Sequence, residues 1–481
     1  MTFRVTQFGI ESQAIRFASR HNADIFRFQG QITSGLRFTR PSEAPLDFRR
    51  VTSLNNQFTQ LESELQTIAT AESTLNSSVS QLTSVRELLT SVSTTVQSAI
   101  QSTEPNDRNA LAVEVEGILN QLQTVANFSF SGEFLYGGTK TDRPPFTFDA
   151  PAVDGRPISV NYNGSTNNGE VFIGDGVFVD SFYNGLQVFG GSERQPTVLA
   201  GRTSAALGSG TDTLTSRATL QITHDSSSFT GSSGIAPGTD SANDTILGNR
   251  QVTIVDTAGD GSSGTISIDG GPEFEFTNTD TNLAVLDGVG NRVFVDTTSI
   301  TAGFNGTVEL NSTGFLSVDD GATQIPIDFS SNQIVTDSVS GGFVTIDSSA
   351  ITGVGEDFLD FPGTSNVFEL LGNIIDNLRN TRDFSNTELA ESLSRQLGEL
   401  ESVTDRVLVT IGSQSTSLRT LDVVGFRKES LSLSLQNEAS SIQATDFSEA
   451  ALQLGNAQSL LEFTFAVTSR ITSLNVLDFL R

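Results

Sequence analysis

Residues 51–100, VTSLNNQFTQLESELQTIATAESTLNSSVSQLTSVRELLTSVSTTVQSAI, decide the fold of this chain. Fifteen positions from Val51 to Ile100, spaced three or four apart, form one stripe on a helix, and twelve of them are apolar. Such a sustained stripe predicts a long helix that packs like a coiled coil. The segment STEPNDR (102–108) interrupts it, and Pro105 suits the first turn of a second helix. The second helix continues the apolar pattern at Leu111, Val115, Ile118, Leu122 and Val125.

The C-terminal part of the chain repeats this pattern. A short amphipathic helix is predicted over 367–378, and a long one follows on a heptad frame between positions 390 and 442. Asp446, with Glu449 three residues later, resembles a capping box that starts a last helix. The first 33 residues carry a weaker stripe of the same spacing. Because isolated helices are marginal in water, the two terminal helices need partners, either each other or other chains.

The middle of the chain has a different composition. It holds 30 of the 43 glycines, between positions 151 and 362, and several short segments that alternate apolar and polar residues. Such segments with Gly, Asn and Asp at their ends predict β-strands. The segments EFLYGG and PPFTFD, on either side of TKTDR, predict a hairpin, and the polar segment 222–249 predicts a long loop or a flexible excursion.

The whole pattern predicts an α+β protein. An elongated, coiled-coil-like helical bundle would come from the N- and C-terminal regions, and an inserted β-rich domain would face outward. Five segments follow from this division: 1–45, an N-terminal assembly helix and joint; 46–148, long helices and a hairpin of a rod domain; 149–362, a β-rich variable insert; 363–445, returning rod helices; and 446–481, a C-terminal assembly helix.

Composition and charge exclude several classes of function. The chain has no cysteine, so disulfides, zinc–thiolate sites and thiol nucleophiles are impossible. Its net charge is −29, with 26 acidic and 6 basic residues between positions 151 and 360, which argues against nucleic-acid and anionic-membrane partners. No stretch has the length and hydropathy of a membrane span, and the N-terminus has no secretory signal pattern.

Sites for catalysis and cofactors are weakly indicated. Gly259, Gly261 and Gly264 imitate a dinucleotide-binding loop, but a strand-like segment follows them where a helix is needed, so we predict a hairpin turn. Acidic turns at Asp256, Asp260, Asp319 and Asp320 lack the spacing of a calcium loop. The two histidines, His21 and His224, lie far apart in sequence. We therefore predict no enzyme, no catalytic residue, no metal and no cofactor.

The remaining signal is architectural, because both ends are heptad-patterned helices and the middle is an acidic insert. This layout is typical of a self-assembling rod with an outward-facing decoration, and the alternative is a monomeric helical stalk that carries a β-domain. The predicted assembly interface is Ile15, Ile25, Phe28, Ile32, Leu454, Leu460, Leu461, Val467, Ile471 and Leu474.

Several segments resemble the bacterial flagellin family. QITSGLRFTRPSEAP (31–45) is similar to the motif that follows the first helix of that family, and DFSEAALQLGNAQSLLEFTFAVTSRITSLNVLDFL (446–480) is similar to its C-terminus. RPSEAP (40–45) and GEFLYGGTKTDRPPF (132–146) look more like the hook-associated members, which join hook to filament, than like filament flagellins. Glu43 and Ala44 depart from the two acids expected there, so filament flagellin stays the alternative. A secreted stalked enzyme and an adhesin are more remote alternatives.

The resemblance implies a mechanism and a location. The chain would be an extracellular part of the bacterial flagellum, exported by the flagellar type III apparatus without a cleaved signal peptide. Its partners would be its own copies, neighbouring hook-associated proteins and flagellin, and an export chaperone, with no nucleic acid or membrane. The terminal helices would fold on incorporation and line the tube.

The segment 30–48, GQITSGLRFTRPSEAPLDF, is more elaborate than a connection between two helices requires. We interpret it as the joint between the helix that assembles and the helix that is already folded. Its arginines would reach a neighbouring subunit, or alternatively cap the turn within one chain. The predicted inter-subunit joint is Arg37, Arg40, Pro41, Ser42, Glu43 and Pro45.

Overall fold

The computed structural model describes residues 7–102, 104–149 and 159–479; the side chains of 7, 8, 10, 149, 159 and 471–479 lie outside that description. Its helices come first and last along the chain, with one short helix between them. They are α1 (Gln7–Ser34), α2 (Pro45–Gln101), α3 (Pro105–Ala126), α4 (Gly185–Phe189), α5 (Val367–Arg379), α6 (Asn386–Gln443) and α7 (Phe447–Phe479).

The strands lie between α3 and α5. They are β1 (Ser129–Phe130), β2 (Glu133–Phe134), β3 (Phe146–Asp149), β4 (Ser159–Tyr162), β5 (Gly169–Phe172), β6 (Phe178–Phe182), β7 (Val198–Ala200), β8 (Ala206–Leu207), β9 (Ser216–Thr230), β10 (Ala236–Pro237), β11 (Gly248–Asp256), β12 (Ser263–Ile268), β13 (Phe274–Thr277), β14 (Leu283–Leu286), β15 (Arg292–Asp296), β16 (Asn305–Ser317), β17 (Ile325–Pro326), β18 (Gln333–Thr336), β19 (Phe343–Asp347) and β20 (Gly355–Phe361). The predicted α+β class, with long helices at both ends and a β-rich middle, is confirmed.

The stripe predicted in residues 51–100 is the buried face of α2. Leu75, Leu82 and Leu89 on the predicted frame are fully buried, whereas Arg86 on the same frame is exposed. In the second half of the helix a further row of side chains is buried as well, because residues of α3, α5 and α6 join the same hydrophobic core. Leu393, Leu400 and Val407 of α6 are among its members, spaced by seven residues. The heptad frame therefore marks the core contacts of both long helices.

The β-rich part is built around one antiparallel sheet. Its eight strands run in the order β13-β12-β11-β16-β9-β20-β7, and β17 pairs with β16 beside this path. Two three-stranded sheets, β10-β15-β14 and β18-β19-β8, cover it. Each makes a separate hydrophobic core with its half of the large sheet, since Val285 and Val293 pack with Val252, whereas Val335 and Val344 pack with Leu220.

The prediction of a long polar loop over 222–249 is wrong for its first part. Residues 222–230 belong to β9, which pairs with β16 on one side and β20 on the other, whereas most of 231–247 is loop, as predicted. Its hydroxyl groups are satisfied across the sheet: Ser226 Oγ lies 2.9 Å from Thr313 Oγ1, and Ser228 Oγ donates to the Asn311 carbonyl at 3.3 Å. A serine-rich strand has little hydropathy alternation, so its pattern looks like that of a loop.

The hairpin predicted between EFLYGG and PPFTFD does not form. β2 pairs with β1, and β3 pairs with β4 instead. The amide of Asn127 accepts from the backbone N–H of Phe146 and donates to its carbonyl, both at 2.9 Å, so β3 is bound to the end of α3. The Gly259–Gly264 turn, by contrast, connects the antiparallel strands β11 and β12, as predicted.

The chain forms two compact units. The first, here called the terminal unit, comprises Met1–Ser73, Val171–Val179 and Thr416–Arg481. The second, the central unit, comprises Thr74–Glu170 and Asp180–Ser415 and contains the large sheet together with the main helical core.

Candidate assembly surface

Helices α1 and α7 pack against each other along one stripe of each helix. We call this contact the terminal seam. Many of its side chains are small or polar, and it is formed by one helix packed on one other among the described residues, so most of its members are half-buried. The seam residues on α1 are Ala14, Ala18, His21, Ile25, Phe28 and Ile32, and those on α7 are Ala450, Leu454, Ala457, Leu461, Thr464 and Thr468.

Large apolar side chains lie on the opposite side of α7. Leu452, Leu460, Phe463 and Val467 follow one another at intervals of eight, three and four residues, which places them on one face turned away from the seam. We call this face the outer stripe. Phe463 is 68% exposed and Leu452 is 63% exposed. On α1, Ile15, Phe17 and Phe26 are exposed as well. Apolar patches of this kind mark contact surfaces for other molecules.

The predicted interface residues divide between these two faces. Five lie on the terminal seam, within the chain: Ile25, Phe28, Ile32, Leu454 and Leu461. Three are exposed to solvent: Ile15, Leu460 and Val467. For Ile471 and Leu474 the structure describes helical backbone, and their side chains lie outside the described residues. The sequence reasoning missed Phe26, Leu452 and Phe463, although large apolar residues outside a heptad frame are a readable signal for a second contact face.

The joint segment is folded against the connection between α6 and α7. The N–H of Arg37 donates to the Gln443 carbonyl at 2.7 Å, and the N–H of Thr445 donates to the Gly35 carbonyl at 3.0 Å. Gly35 has φ of +71°, which a residue with a side chain adopts at a cost in free energy. Phe38 inserts into a core with Val51, Leu54, Leu435 and Ala439, and it is 1% exposed. The α1–α2 connection and the α6–α7 connection are therefore held together by backbone hydrogen bonds and by a shared hydrophobic core.

The polar residues of the joint make an internally capped turn. A carboxylate oxygen of Glu43 accepts from the N–H groups of Thr39 at 2.7 Å and Arg40 at 3.2 Å. Pro45 is the first residue of α2, a position where its missing N–H is not needed. Pro41 and Ser42 are exposed at the tip. The turn thus presents a fixed backbone to solvent.

The arginines of this region fall into two groups. Arg37 pairs with Asp47, and Arg50 pairs with Glu438 at 2.6 Å, both within the chain. Arg40 and Arg49 are exposed and have no ion pair among the residues that the structure describes. The within-chain alternative is therefore realised for Arg37 and Arg50, and Arg40 and Arg49 leave two cations on the surface of the joint.

A buried lysine fixes a hairpin tip in the terminal unit. The Nζ of Lys428 lies 2.6 Å from Glu64 and 3.1 Å from Asp175, and the lysine side chain is 3% exposed. Burial opposes the charged form, but hydrogen bonds to the two carboxylates raise the pKa of Lys428 above its ordinary value. Sequence reasoning missed this site. A lysine on the seven-residue frame between Leu421 and Leu435 is a readable signal for a buried anionic partner.

In the acidic turns of the central unit, the carboxylates accept hydrogen bonds from backbone N–H groups of the same chain. Burial would raise the pKa of Asp256, but N–H donors from Gly259, Gly261 and Gly303 hold it below its ordinary value. Asp319 accepts from Thr323 and Ser338 in the same way. Across the described ranges, no group of three or more His, Asp and Glu side chains is placed to hold a metal ion.

One buried polar cluster lies in the sheet. The Nε2 of His224 is 2.9 Å from the Oγ of Ser227, which donates to Asp244 at 2.6 Å. Asp244 also accepts from the N–H of Phe294 at 2.7 Å. Burial lowers the pKa of His224 and raises that of Asp244, because each charged form is desolvated. The serine hydroxyl is committed to the carboxylate, so this arrangement differs from that of a catalytic triad, in which the histidine stands between the two.

Within the part of the chain that the structure describes, no helix is long and apolar enough to cross a membrane.

One comparison with known proteins covers the N-terminal helical part of the chain. Residues 6–141 match the family model described as the bacterial flagellin N-terminal helical region. A search of curated proteins returned no match.

Similar solved structures include the FlgL protein of Xanthomonas campestris, 15% identical with a TM-score of 0.40 over 80% of this chain and 99% of that one. Flagellar hook-associated protein 3 of Legionella pneumophila is 17% identical with a TM-score of 0.36, over 82% of this chain and 97% of that one. A hook-associated protein described as putative, from Vibrio parahaemolyticus, is 22% identical with a TM-score of 0.28, over 31% of this chain and 65% of that one. The family match includes α1, the joint, α2 and α3, the elements that build the helical part from the N-terminal side. Residues 6–141 of this chain are therefore similar to the bacterial flagellin N-terminal helical region.

Proposed function

We propose that the chain is a structural subunit of the bacterial flagellum that joins hook to filament, in the manner of hook-associated protein 3. The observation that carries this proposal is the match of residues 6–141 to the flagellin N-terminal region. The motif RPSEAP in the joint favours the junction type, because filament flagellins continue differently at this point. Proteins of this family are structural, and the proposal includes no catalytic step.

Assembly would use the faces of the terminal helices that the chain leaves uncovered. The terminal seam holds α1 and α7 together, and the outer stripe would bury its apolar side chains against neighbouring copies. Complete burial of a valine, leucine or phenylalanine side chain is worth about 1.5–3 kcal/mol, so burying the exposed part of these four side chains in each copy would favour association. The exposed Arg40 and Arg49 would meet acidic groups of a neighbour at the joint.

The same proposal assigns roles to the five segments predicted from the sequence. Residues 1–45 and 446–481 would assemble, 46–148 and 363–445 would form the rod, and 149–362 would face outward. The excess of carboxylates in that insert would keep the outer surface soluble. Export through the type III apparatus without signal cleavage, and delivery by a chaperone, are part of the proposal.

Filament flagellin is the second candidate, favoured by the flagellin description of the matching family. The two candidates differ in what the chain does alone. A filament protein polymerises into long tubes, whereas a junction protein adds a limited number of copies between two different structures.

Deletion of the encoding gene tests the proposal. A junction protein predicts cells with hooks but no filaments, and flagellin secreted into the medium. A filament protein predicts loss of the major secreted flagellin itself. Swimming cells with normal filaments would contradict both candidates. Polymerisation of the purified chain into long helical tubes would contradict the junction role.

A further inference from the structure

The tip of the β5–β6 hairpin carries an exposed aromatic pair. Phe172 is 53% exposed and Phe178 is 59% exposed, and their ring centroids lie 5.1 Å apart at an interplanar angle of 48°. The two rings belong to the Val171–Val179 segment of the terminal unit. A pair of phenylalanines in contact with each other on the surface is a compact apolar anchor.

The tip is held in place by contacts within the terminal unit. Asp175 bonds to Lys428 of α6, which also bonds to Glu64 of α2. Ile173 is fully buried, and a Cβ added to Gly174 would come within 2.7 Å of the Glu64 carboxylate. The aromatic pair is therefore presented on a fixed support, which lowers the entropy lost when a partner binds.

A surface that differs in chemistry from the hairpin tip lies on α6. Val423, Phe426 and Leu433 are 53%, 74% and 60% exposed. At 100° per residue they point away from the buried positions of the same helix, including Lys428. Arg419 and Arg427 lie among them, and both are exposed. We call this set the α6 outer face. It combines apolar groups with two cations.

The two surfaces complement each other in chemistry. The hairpin offers two aromatic rings and the carboxylate of Asp175, whose side chain is 82% exposed although one oxygen contacts Lys428. The α6 outer face offers apolar side chains and guanidinium groups, which bind both carboxylates and aromatic faces. Asp422 and Glu429 lie along one edge of that face beside Glu72, whose pKa is raised by burial and by these two carboxylates. They would repel Asp175 and so favour an approach from the Arg427 side.

Within one copy, the hairpin tip is unable to contact the α6 outer face. The hairpin tip is bound to α6 through Lys428, on the side of the helix opposite the α6 outer face. A contact between two unlike patches then repeats from copy to copy, and such heterologous contacts produce rings or helical tubes.

We infer that Phe172 and Phe178 of one copy dock on the α6 outer face of a second copy, with Asp175 opposite Arg427. This inference rests on the proposed function, because it names a lateral contact between subunits that is separate from the terminal helices. The contact would orient neighbouring subunits relative to each other, whereas the terminal helices would drive their association.

Cysteine cross-linking tests the inference, since the natural chain has no cysteine. Full-length Phe178→Cys and Phe426→Cys chains are mixed at high concentration and treated with a short bismaleimide. The inference predicts mixed dimers in at least tenfold excess over dimers of either variant with itself. Val339→Cys, which replaces a residue that is 86% exposed in the central unit, is the matched control for random collision. Mixed dimers no more abundant than in the pairing of Phe178→Cys with Val339→Cys would overturn the inference.

A second variant separates this inference from the proposed function. In Phe172→Ser/Asp175→Cys/Phe178→Ser, mixed with Phe426→Cys, the cross-link should fall at least tenfold relative to Asp175→Cys with Phe426→Cys, and retention would overturn the inference. The proposed function is read independently from swimming of the deletion strain that carries the unmodified chain. Cross-links without restored swimming would leave the lateral contact standing and reject the flagellar role. Restored swimming without cross-links would support the flagellar role and reject the lateral contact.

Discussion

The central helical core and the terminal seam are built on the same heptad spacing, yet they use it differently. In the central core, Leu82 and Leu89 are fully buried in a cluster to which five helices contribute side chains. In the terminal seam, positions of equal spacing hold Ala18, His21 and Thr464, and most stay half-buried. Phe17, Phe26 and Phe463 of the terminal helices lie instead on outward faces. The heptad spacing alone thus predicts which helices pack. The size and polarity of the residues at those positions show how much apolar surface stays exposed and available to other chains.

The largest loss of stability is expected in the central core. Leu89→Ala removes a fully buried side chain and leaves a cavity, so it should lower the free energy of unfolding by about 2–5 kcal/mol. Urea unfolding followed by far-ultraviolet circular dichroism measures this. Val113→Ala, at an exposed position of α3, is the control and should change the free energy by about 0.5 kcal/mol or less. Equal effects of the two substitutions would show that the heptad stripe is not the core.

A smaller loss is expected where a single charge fixes the hairpin tip. Lys428→Met removes the partner of Glu64 and Asp175, and leaving the largely buried Glu64 carboxylate without its cation costs about 1–3 kcal/mol. Lys140→Met, at the chain's other lysine, lies on the surface and is the matched control. Hydrogen exchange of residues 171–179 should accelerate in Lys428→Met only. Unchanged exchange in that segment would contradict the role given to Lys428.

The central sheet should respond to mild acid through His224. Because burial lowers its pKa in the folded state, the unfolded chain binds the proton first, and stability should fall as the pH drops below about 6.5. The raised pKa of Asp244 acts in the opposite sense, since the folded state takes up its proton before the unfolded state does. The histidine contribution should be absent in His224→Gln. Unfolding at a series of pH values between about 7.5 and 5 measures this, and parallel curves for the two proteins would reject it.

The smallest effect on stability is expected on the outer stripe. Phe463→Asp replaces a side chain that is mostly exposed, so the free energy of unfolding should change by about 0.5 kcal/mol or less. Leu461→Asp, two residues away on the terminal seam, is the contrasting variant and should separate α1 from α7. Hydrogen exchange along α1 reports this difference. Equal protection of α1 in both variants would remove the distinction between the seam and the outer stripe.

The sequence predicts the long helices well because their core positions repeat for many turns. Leu75, Leu82 and Leu89 lie on the predicted frame and are buried. Short-range signals were less reliable. β9 was missed because its serines are polar in sequence but hydrogen-bond to Thr313 and to the Asn311 carbonyl of β16, and the pairing of β3 was missed because Asn127 fixes that strand from a distant position. Pairing between segments far apart in the chain leaves little trace in local hydropathy.

The candidate surface was predictable only in part. Apolar periodicity selects residues without distinguishing a contact within the chain from a contact between chains, so Ile25 and Leu461 were grouped with Leu460 and Val467. The arginines of the joint were similarly grouped, although Arg37 and Arg50 have partners within the chain and Arg40 does not among the described residues. The burial of each side chain is needed to distinguish a contact within the chain from a contact between chains, and that burial depends on which helices pack together.

Complementation with Phe463→Asp tests the central claim most directly. The claim is that the outer stripe serves assembly and contributes little to the fold. In a strain that lacks the natural gene, the variant should be exported and should unfold at the same urea concentration as the unmodified chain, yet hooks should remain without filaments and swimming should be lost. Filament-bearing, swimming cells that carry a stably expressed Phe463→Asp chain would contradict the account.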